Sequence, residues 1–163
     1  MQALVKFAIS IGVLLQPEML RFAPPIGGMR AQEVRQSFHE KRGDHEHEAV
    51  DIMAERGTPV RAVVEGSIAK LFLSKPGGKT IYLFDDSKTY CYYYAHLDAY
   101  VDGLSEGQSV KPGQVIGYVG STGNADPSAP HLHFAMFELG PEKQWWKGKV
   151  IDPYPYLRLA AQP

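Results

Sequence analysis

Apolar and polar residues alternate along most of this chain, in short runs broken by glycine and proline. That is the pattern of half-buried strands rather than of amphipathic helices. From Thr58 to Ser74 the apolar positions are Val60, Val63, Val64, Ile68, Leu71 and Phe72, which reads as strands interrupted at Gly66. Lys75-Pro76-Gly77-Gly78-Lys79 is a hairpin turn signal, followed by a strand over Thr80 to Phe84 and a turn at Asp85-Asp86-Ser87. Thr89 to Leu97 is the clearest strand. Tyr90, Tyr92, Tyr94 and His96 share one parity and Cys91, Tyr93, Ala95 and Leu97 the other, so alternation predicts that His96 projects with three tyrosines. Short strands are expected at Ser109–Val110 and Val115–Val119. A loop rich in turn residues, Ser121 to Pro130, then delivers the chain to a strand over His131–Phe137. The polar stretch from Met29 to Arg42 predicts a short helix ending near Gly43, and the Asp152–Tyr156 tail is expected to pack on the core. Short strands at close spacing make the chain an all-β protein, and no sequence repeat is evident.

The length of 163 residues suits one domain with a sizeable core. Residues 1–28 read as a separate N-terminal segment whose Pro24-Pro25-Ile26-Gly27-Gly28 is a linker or turn, leaving residues 29–163 as the domain. Lys6 precedes an apolar run, Phe7 to Leu15, which has the length of a signal-peptide core and is short for a transmembrane helix. No small-x-small cleavage site follows it. An export signal or anchor and a buried or amphipathic terminal segment both stay open. The formal net charge of −1, without like-charge blocks, gives no footprint for nucleic acid and no basic membrane arm. Cys91 is the single cysteine, so no internal disulfide forms and a cysteine-based metal site is disfavoured. It reads as a small residue packed in a strand.

Against this background the six histidines stand out. In Pro130-His131-Leu132-His133-Phe134, strand alternation points both imidazoles to one face, which is what a metal or acid–base site needs. Upstream, His47 and Asp51 are four apart and share a face in either a strand or a helix. The segment His47-Glu48-Ala49-Val50-Asp51 approaches a His-Glu-x-x-His pattern, but Val50, Ile52 and Gly57-Thr58-Pro59-Val60 lean toward a strand, and the residues alone leave the choice open. A catalytic zinc site needs about three protein ligands and an open position. His47, Asp51 and one histidine of the pair supply them, leaving the other histidine and His96 to act on a substrate as base or oxyanion donor. His39 and His45 are expected at the surface without a role. Trp145-Trp146 fits either a substrate platform or a clamp on the core.

With these residues assembled, the chain resembles the lysostaphin/LytM-type zinc metallopeptidases from about Phe38 to Leu157. The resemblance rests on His47-Glu-Ala-Val-Asp51-Ile52, Gly57-Thr58-Pro59-Val60-x-Ala62 and Gly66, and then on Tyr94-Ala95-His96-Leu97. It continues through Gly107-Gln108-x-Val110-x-x-Gly113-Gln114-x-Ile116-Gly117, Gly120-x-Thr122-Gly123 and His131-Leu132-His133-Phe134. It implies a compact antiparallel β-sheet domain of the LytM/duplicated-hybrid-motif type, with the first segment a strand and a narrow groove over the metal. It implies Zn2+ held by His47, Asp51 and His133, and catalytic roles for His96 and His131. The implied activity is endopeptidase hydrolysis of peptide crosslinks or stem peptides of bacterial peptidoglycan, in the cell envelope, periplasmic or secreted. The partners expected are peptidoglycan peptides, with no nucleic acid, membrane contact through the N-terminal segment at most, and a monomeric chain. The loop Ser121–Pro130 and the hairpin Lys75–Lys79 are expected to wall the groove. Two departures stand out. Ala49 replaces a glycine frequent in the family, which should suit an exposed or edge position, and no tyrosine precedes Tyr82 to act as the helper that some members carry. Two other functions compete: a non-hydrolytic activator of cell-wall amidases, and a histidine phosphocarrier domain.

Overall fold

The computed structural model describes residues 22–161; the apolar run Phe7 to Leu15 lies outside them. Among the described residues, eleven strands, one short α-helix and a 3-10 turn make up the regular structure. A two-stranded hairpin, β1 (Lys41–Arg42) and β2 (His45–Glu46), precedes the main sheet, whose strands are β3 (Val50–Met53), β4 (Pro59–Arg61), β5 (Gly66–Ser74), β6 (Gly78–Asp85), β7 (Tyr90–Tyr100), β8 (Ser109–Val110), β9 (Val115–Val119), β10 (His131–Leu139) and β11 (Gly148–Ile151). The helix α1 (Tyr154–Ala160) closes the fold. The sheet runs β11-β10-β7-β6-β5-β8, with β3 on the free half of the β10 edge and β9 joining β4 to the far half of β7; every pairing is antiparallel. The all-β expectation and the antiparallel sheet implied by the resemblance hold.

One face of the sheet is the core. Ile68, Ile81, Leu83, Tyr92, Tyr94, Leu132, Phe134 and Met136 are all essentially sealed from solvent and meet Val60, Val63, Ile116 and Val119 from the β4 and β9 side. The buried Tyr94 hydroxyl is satisfied by the backbone N–H of Val63 at 3.0 Å, so a polar group sits in the core without a desolvation penalty. Leu157 of α1 seats in the same cluster, which bears out the expected packing of the tail, although as a helix.

Three expectations need correction. The stretch Met29 to Arg42 holds a 3-10 turn over Ala31–Glu33 and strand β1 in place of a helix, and Gly43, at φ +70°, makes the β1–β2 turn. Residues 22–28 are not set apart, because Phe22 packs edge-on against Tyr92 and Phe134 and Ile26 bridges to Val60. The third correction is at β7. Tyr92 and Tyr94 face the core, but His96 does not share their face. Between the pairs Ile81–Tyr94 and Lys79–Leu97, two steps on β6 oppose three on β7, so β7 carries a bulge at Ala95–His96. His96 there takes φ +60°, a left-handed conformation that costs a non-glycine residue roughly 1–2 kcal/mol. The bulge turns His96 to the outer face and returns Leu97 to the core. It is also where β7 leaves β10, last paired at Ala95–His133, and takes up β9 at Leu97–Val119.

Candidate metal centre and active site

The outer face of the sheet, at the point where β7 changes partner, carries the histidines. In β10 the buried Leu132 and Phe134 alternate with His131 and His133, which therefore stand together above the sheet. Asp51 of β3 pairs directly across from His133. His47 arrives by another route, since neither a continuous strand nor a helix joins it to Asp51. It follows β2, and the chain bends at Glu48, φ +54°, before β3 begins. Ala49 is fully buried rather than exposed or at an edge, and the left-handed residue is its neighbour Glu48.

These elements bring three ligand atoms to a point. His47 Nε2 lies 3.2 Å from Asp51 Oδ1 and 3.1 Å from His133 Nδ1, and His133 Nδ1 lies 3.1 Å from Asp51 Oδ1. A tetrahedral ion with bonds near 2.0–2.2 Å separates its ligands by roughly 3.3–3.5 Å, so the triangle has the size a single metal ion needs. Its protonation fits as well. His47 Nδ1–H donates to the carbonyl of Ser37 at 3.1 Å, which leaves Nε2 as a lone pair aimed at the Asp51 oxygen and the second imidazole. Two acceptors so placed are satisfied together by a cation. Burial opposes charge on Asp51, but where the His133 and His47 rings are protonated toward it their hydrogen bonds and charge outweigh burial and hold the carboxyl well below its usual range. Burial likewise lowers the His133 pKa despite the Asp51 carboxylate beside it.

His96 and His131 flank this triangle without joining it. Their ring centroids are 5.0 Å apart, and that of His96 is 5.5 Å from that of His133. Each spends its Nδ1–H on a backbone carbonyl, His96 on Thr122 at 2.8 Å and His131 on Ala129 at 2.9 Å, so in the neutral tautomer of each ring Nε2 is the nitrogen that can accept. His131 Nε2 lies 3.7 Å from Asp51 Oδ1. Burial, only partly offset by the Thr122 carbonyl, lowers the His96 pKa to about 4 and keeps that ring neutral.

Two residues that sequence reasoning passed over hold the triangle. The buried Ser37 acts twice: its carbonyl orients His47, and its hydroxyl accepts the Asp51 backbone N–H at 3.1 Å while donating to the Ala49 carbonyl. Arg42 donates to Asp51 Oδ2 at 3.1 Å and is itself paired with Glu40. Both lie in the Met29–Arg42 stretch expected to be helical, where no periodic signal marked them.

A cavity of about 620 Å³ opens over the site. The β5–β6 turn (Pro76, Gly77) and the loop after β9 (Asn124, Ala125, Asp126) wall it, as expected. The two walls are fused: Asn124 N–H bonds the Pro76 carbonyl at 2.9 Å, and Lys79 N–H bonds the Thr122 hydroxyl at 3.1 Å. Gly78 and Gly123 meet at this seam with left-handed backbones, and a Cβ on either would collide with the opposing wall. Tyr93 lines the floor, 5.9 Å from the His133 ring. His45, expected to have no role, is exposed but stands on the rim, whereas His39 pairs with Glu46. Cys91 is buried, as read from its strand.

Comparison with known proteins is consistent with this geometry. Residues 45–153 match the model of Peptidase family M23. The L-Ala–D-Glu endopeptidase of Bacillus subtilis (strain 168) is 39% identical over 117 residues, which cover 69% of this chain and 34% of that protein. Lysostaphin of Staphylococcus simulans is 36% identical over 115 residues, covering 70% of this chain and 22% of that protein. The chain thus spans about a third or less of the length of these curated relatives. Among solved structures, the catalytic domain of lysostaphin from Staphylococcus simulans superposes with a TM-score of 0.61 at 31% identity, covering 84% of this chain and 88% of that one.

Proposed function

This chain belongs to peptidase family M23, and we propose that it is a zinc-dependent endopeptidase that hydrolyses peptide crosslinks or stem peptides of bacterial peptidoglycan. The observation that carries the proposal is the convergence, in one walled groove, of a metal-sized His47–Asp51–His133 triangle with two further imidazoles whose Nδ1 atoms are held by backbone carbonyls. His47 Nε2, Asp51 Oδ1 and His133 Nδ1 are the proposed zinc ligands. Zinc bound there supplies a Lewis acid for the scissile carbonyl and lowers the pKa of a water toward about 7.

His131 acts as general base. Its Nε2 faces the site to take the proton of the attacking water, with an Asp51 oxygen 3.7 Å away. His96 orients that water by accepting a hydrogen bond at Nε2. The resting state supports orientation over oxyanion stabilisation, because the Nδ1–H is committed to Thr122 and the ring stays neutral. The fused walls fix the width of the groove and hold an extended peptide over the metal. Retention of the whole set argues against the non-hydrolytic activator, and a phosphocarrier has no use for Asp51 opposite His133. Action in the cell envelope, periplasmic or secreted, by a monomer follows from this reading. Among the described residues no helix is long and apolar enough to cross a membrane.

The test is release of new amino groups from purified crosslinked peptidoglycan by the zinc-loaded full chain. Release that a chelator stops and zinc restores supports the proposal. No release by protein carrying stoichiometric zinc overturns it, and stimulation of an added amidase would then favour the activator.

A further inference from the structure

The outer face of the sheet does not end at the metal. Tyr93 packs edge-on against the His133 ring and meets Tyr82 at 4.8 Å with its ring tilted, Tyr82 meets Trp145 at 4.7 Å, and Trp145 meets both Phe72 and Trp146 at 5.2 Å. The register confirms that these residues share one face: Tyr93 pairs with Ala135 and Tyr82, Cys91 pairs with Phe137 and Phe84, and Phe72 pairs with Thr80. An aromatic row therefore runs from the metal triangle to the far end of the same floor. Trp145 is the clamp, packed over Tyr82, Phe137 and the small cluster of Phe84, Cys91 and Leu139. Trp146 is not a clamp. It is 60% exposed; Phe72, which also meets Trp145, is 40% exposed and its strand neighbour Leu73 71%, and no described residue buries them. The residues flanking the tryptophans in the chain, Gln144 and Lys147, belong to a cleft of about 580 Å³ that also carries Glu142, Lys143 and Lys149, so amide, ammonium and carboxylate groups line a cleft built from the same loop.

We infer that Trp146, backed by Trp145 against which Phe72 also packs, is a carbohydrate platform that seats a pyranose ring of the glycan strand while the stem peptide lies over the metal. This rests on the peptidoglycan reading above. Two features select sugar as the occupant. The first is continuity with the groove floor, since a stem peptide held over the metal leads to the glycan that bears it. The second is chemistry. Stem peptides are made of small and charged residues with no large apolar side chain to cover an indole, whereas a pyranose offers C–H groups to the negative π face and hydroxyl and acetamido groups to a polar rim.

The experiment titrates a β-1,4-linked N-acetylglucosamine tetramer into the full-length protein, zinc-loaded and zinc-free, followed by calorimetry and tryptophan fluorescence. Saturable binding is expected in both states, with about tenfold weaker affinity in Trp146→Ala and affinity near wild type in Trp146→Phe. A Phe72→Ala variant, altered at another exposed position, should weaken binding in the same direction. No saturable binding by a folded wild-type protein overturns the inference, as does binding that both Trp146→Ala and Phe72→Ala leave unchanged. Self-association that sedimentation detects in wild type and not in Trp146→Ala also overturns it, because the patch is then an interface between copies. Sugar binding without peptide hydrolysis leaves this inference standing and sinks the proposed activity, so the two fail separately.

Discussion

Replacing Ser37 with alanine tests whether the region before β3 builds the metal triangle or merely lies beside it. Ser37 is 4% exposed, and its hydroxyl accepts the Asp51 N–H at 3.1 Å while donating to the Ala49 carbonyl at 3.4 Å. Removing the hydroxyl leaves a buried N–H without its acceptor, a loss worth about 1–3 kcal/mol, of which the 3.4 Å bond contributes little. The metal-free variant should therefore lose about 2 kcal/mol, and in a chain of this length its Tm should fall by roughly 4–8 °C. Asp51 is a proposed ligand and this N–H fixes its backbone, so zinc affinity should fall as well, by about tenfold to a hundredfold, the usual effect of losing a group that supports a ligand. His47 keeps its partner, since the Ser37 carbonyl survives the change. The assay is a thermal melt of chelated protein together with a competitive zinc titration. Ser37→Thr, which retains the hydroxyl, should recover much of the affinity. A Ser37→Ala protein that melts within 1 °C of wild type, with unchanged zinc affinity, would refute the reasoning.

Other outcomes follow from the same geometry. His133→Ala should abolish stoichiometric zinc binding, whereas His131→Ala should bind zinc nearly as wild type does, and equal losses in the two would contradict the split between ligand and base; metal analysis of the purified variants decides. The folded-state pKa of His96, about 4, lies below its unfolded value near 6.5. The unfolded chain therefore takes up the proton first, and the metal-free protein should lose stability as pH falls from about 6.5 to 4. The loss is up to about 3 kcal/mol from this group. Denaturant titrations across that range should show the slope, and should show it flattened in His96→Gln. Leu157→Ala empties a fully buried position under α1 and should cost about 2–5 kcal/mol by chemical denaturation, without moving the metal triangle.

Period-two patterning exposed most of the sheet and one side of the site. The alternation of Leu132 and Phe134 with His131 and His133 is the alternation seen in β10. The turn residues at Lys75–Lys79 and Ser121–Pro130 marked the two walls. What the pattern missed has physical causes. A bulge adds one residue without changing composition, so parity counted along Tyr90 to Leu97 put His96 on the wrong face. The β1–β2 hairpin is exposed and charged on both faces, Lys41-Arg42 against His45-Glu46, so no apolar period announced it. Ser37 and Arg42 act through a backbone carbonyl, a hydroxyl and an exposed guanidinium, groups whose roles appear only once Asp51 and His47 have positions.

The central claim is that the triangle and the free imidazoles form one hydrolytic site. The most direct measurement is mass analysis of the products formed from muropeptides of known crosslink by zinc-loaded wild type and by zinc-loaded His131→Ala. The account predicts peptide products from wild type whose masses sum to that of the intact muropeptide plus one water, and none from a variant that carries the same zinc. Equal product from both, or none from zinc-loaded wild type, would contradict it.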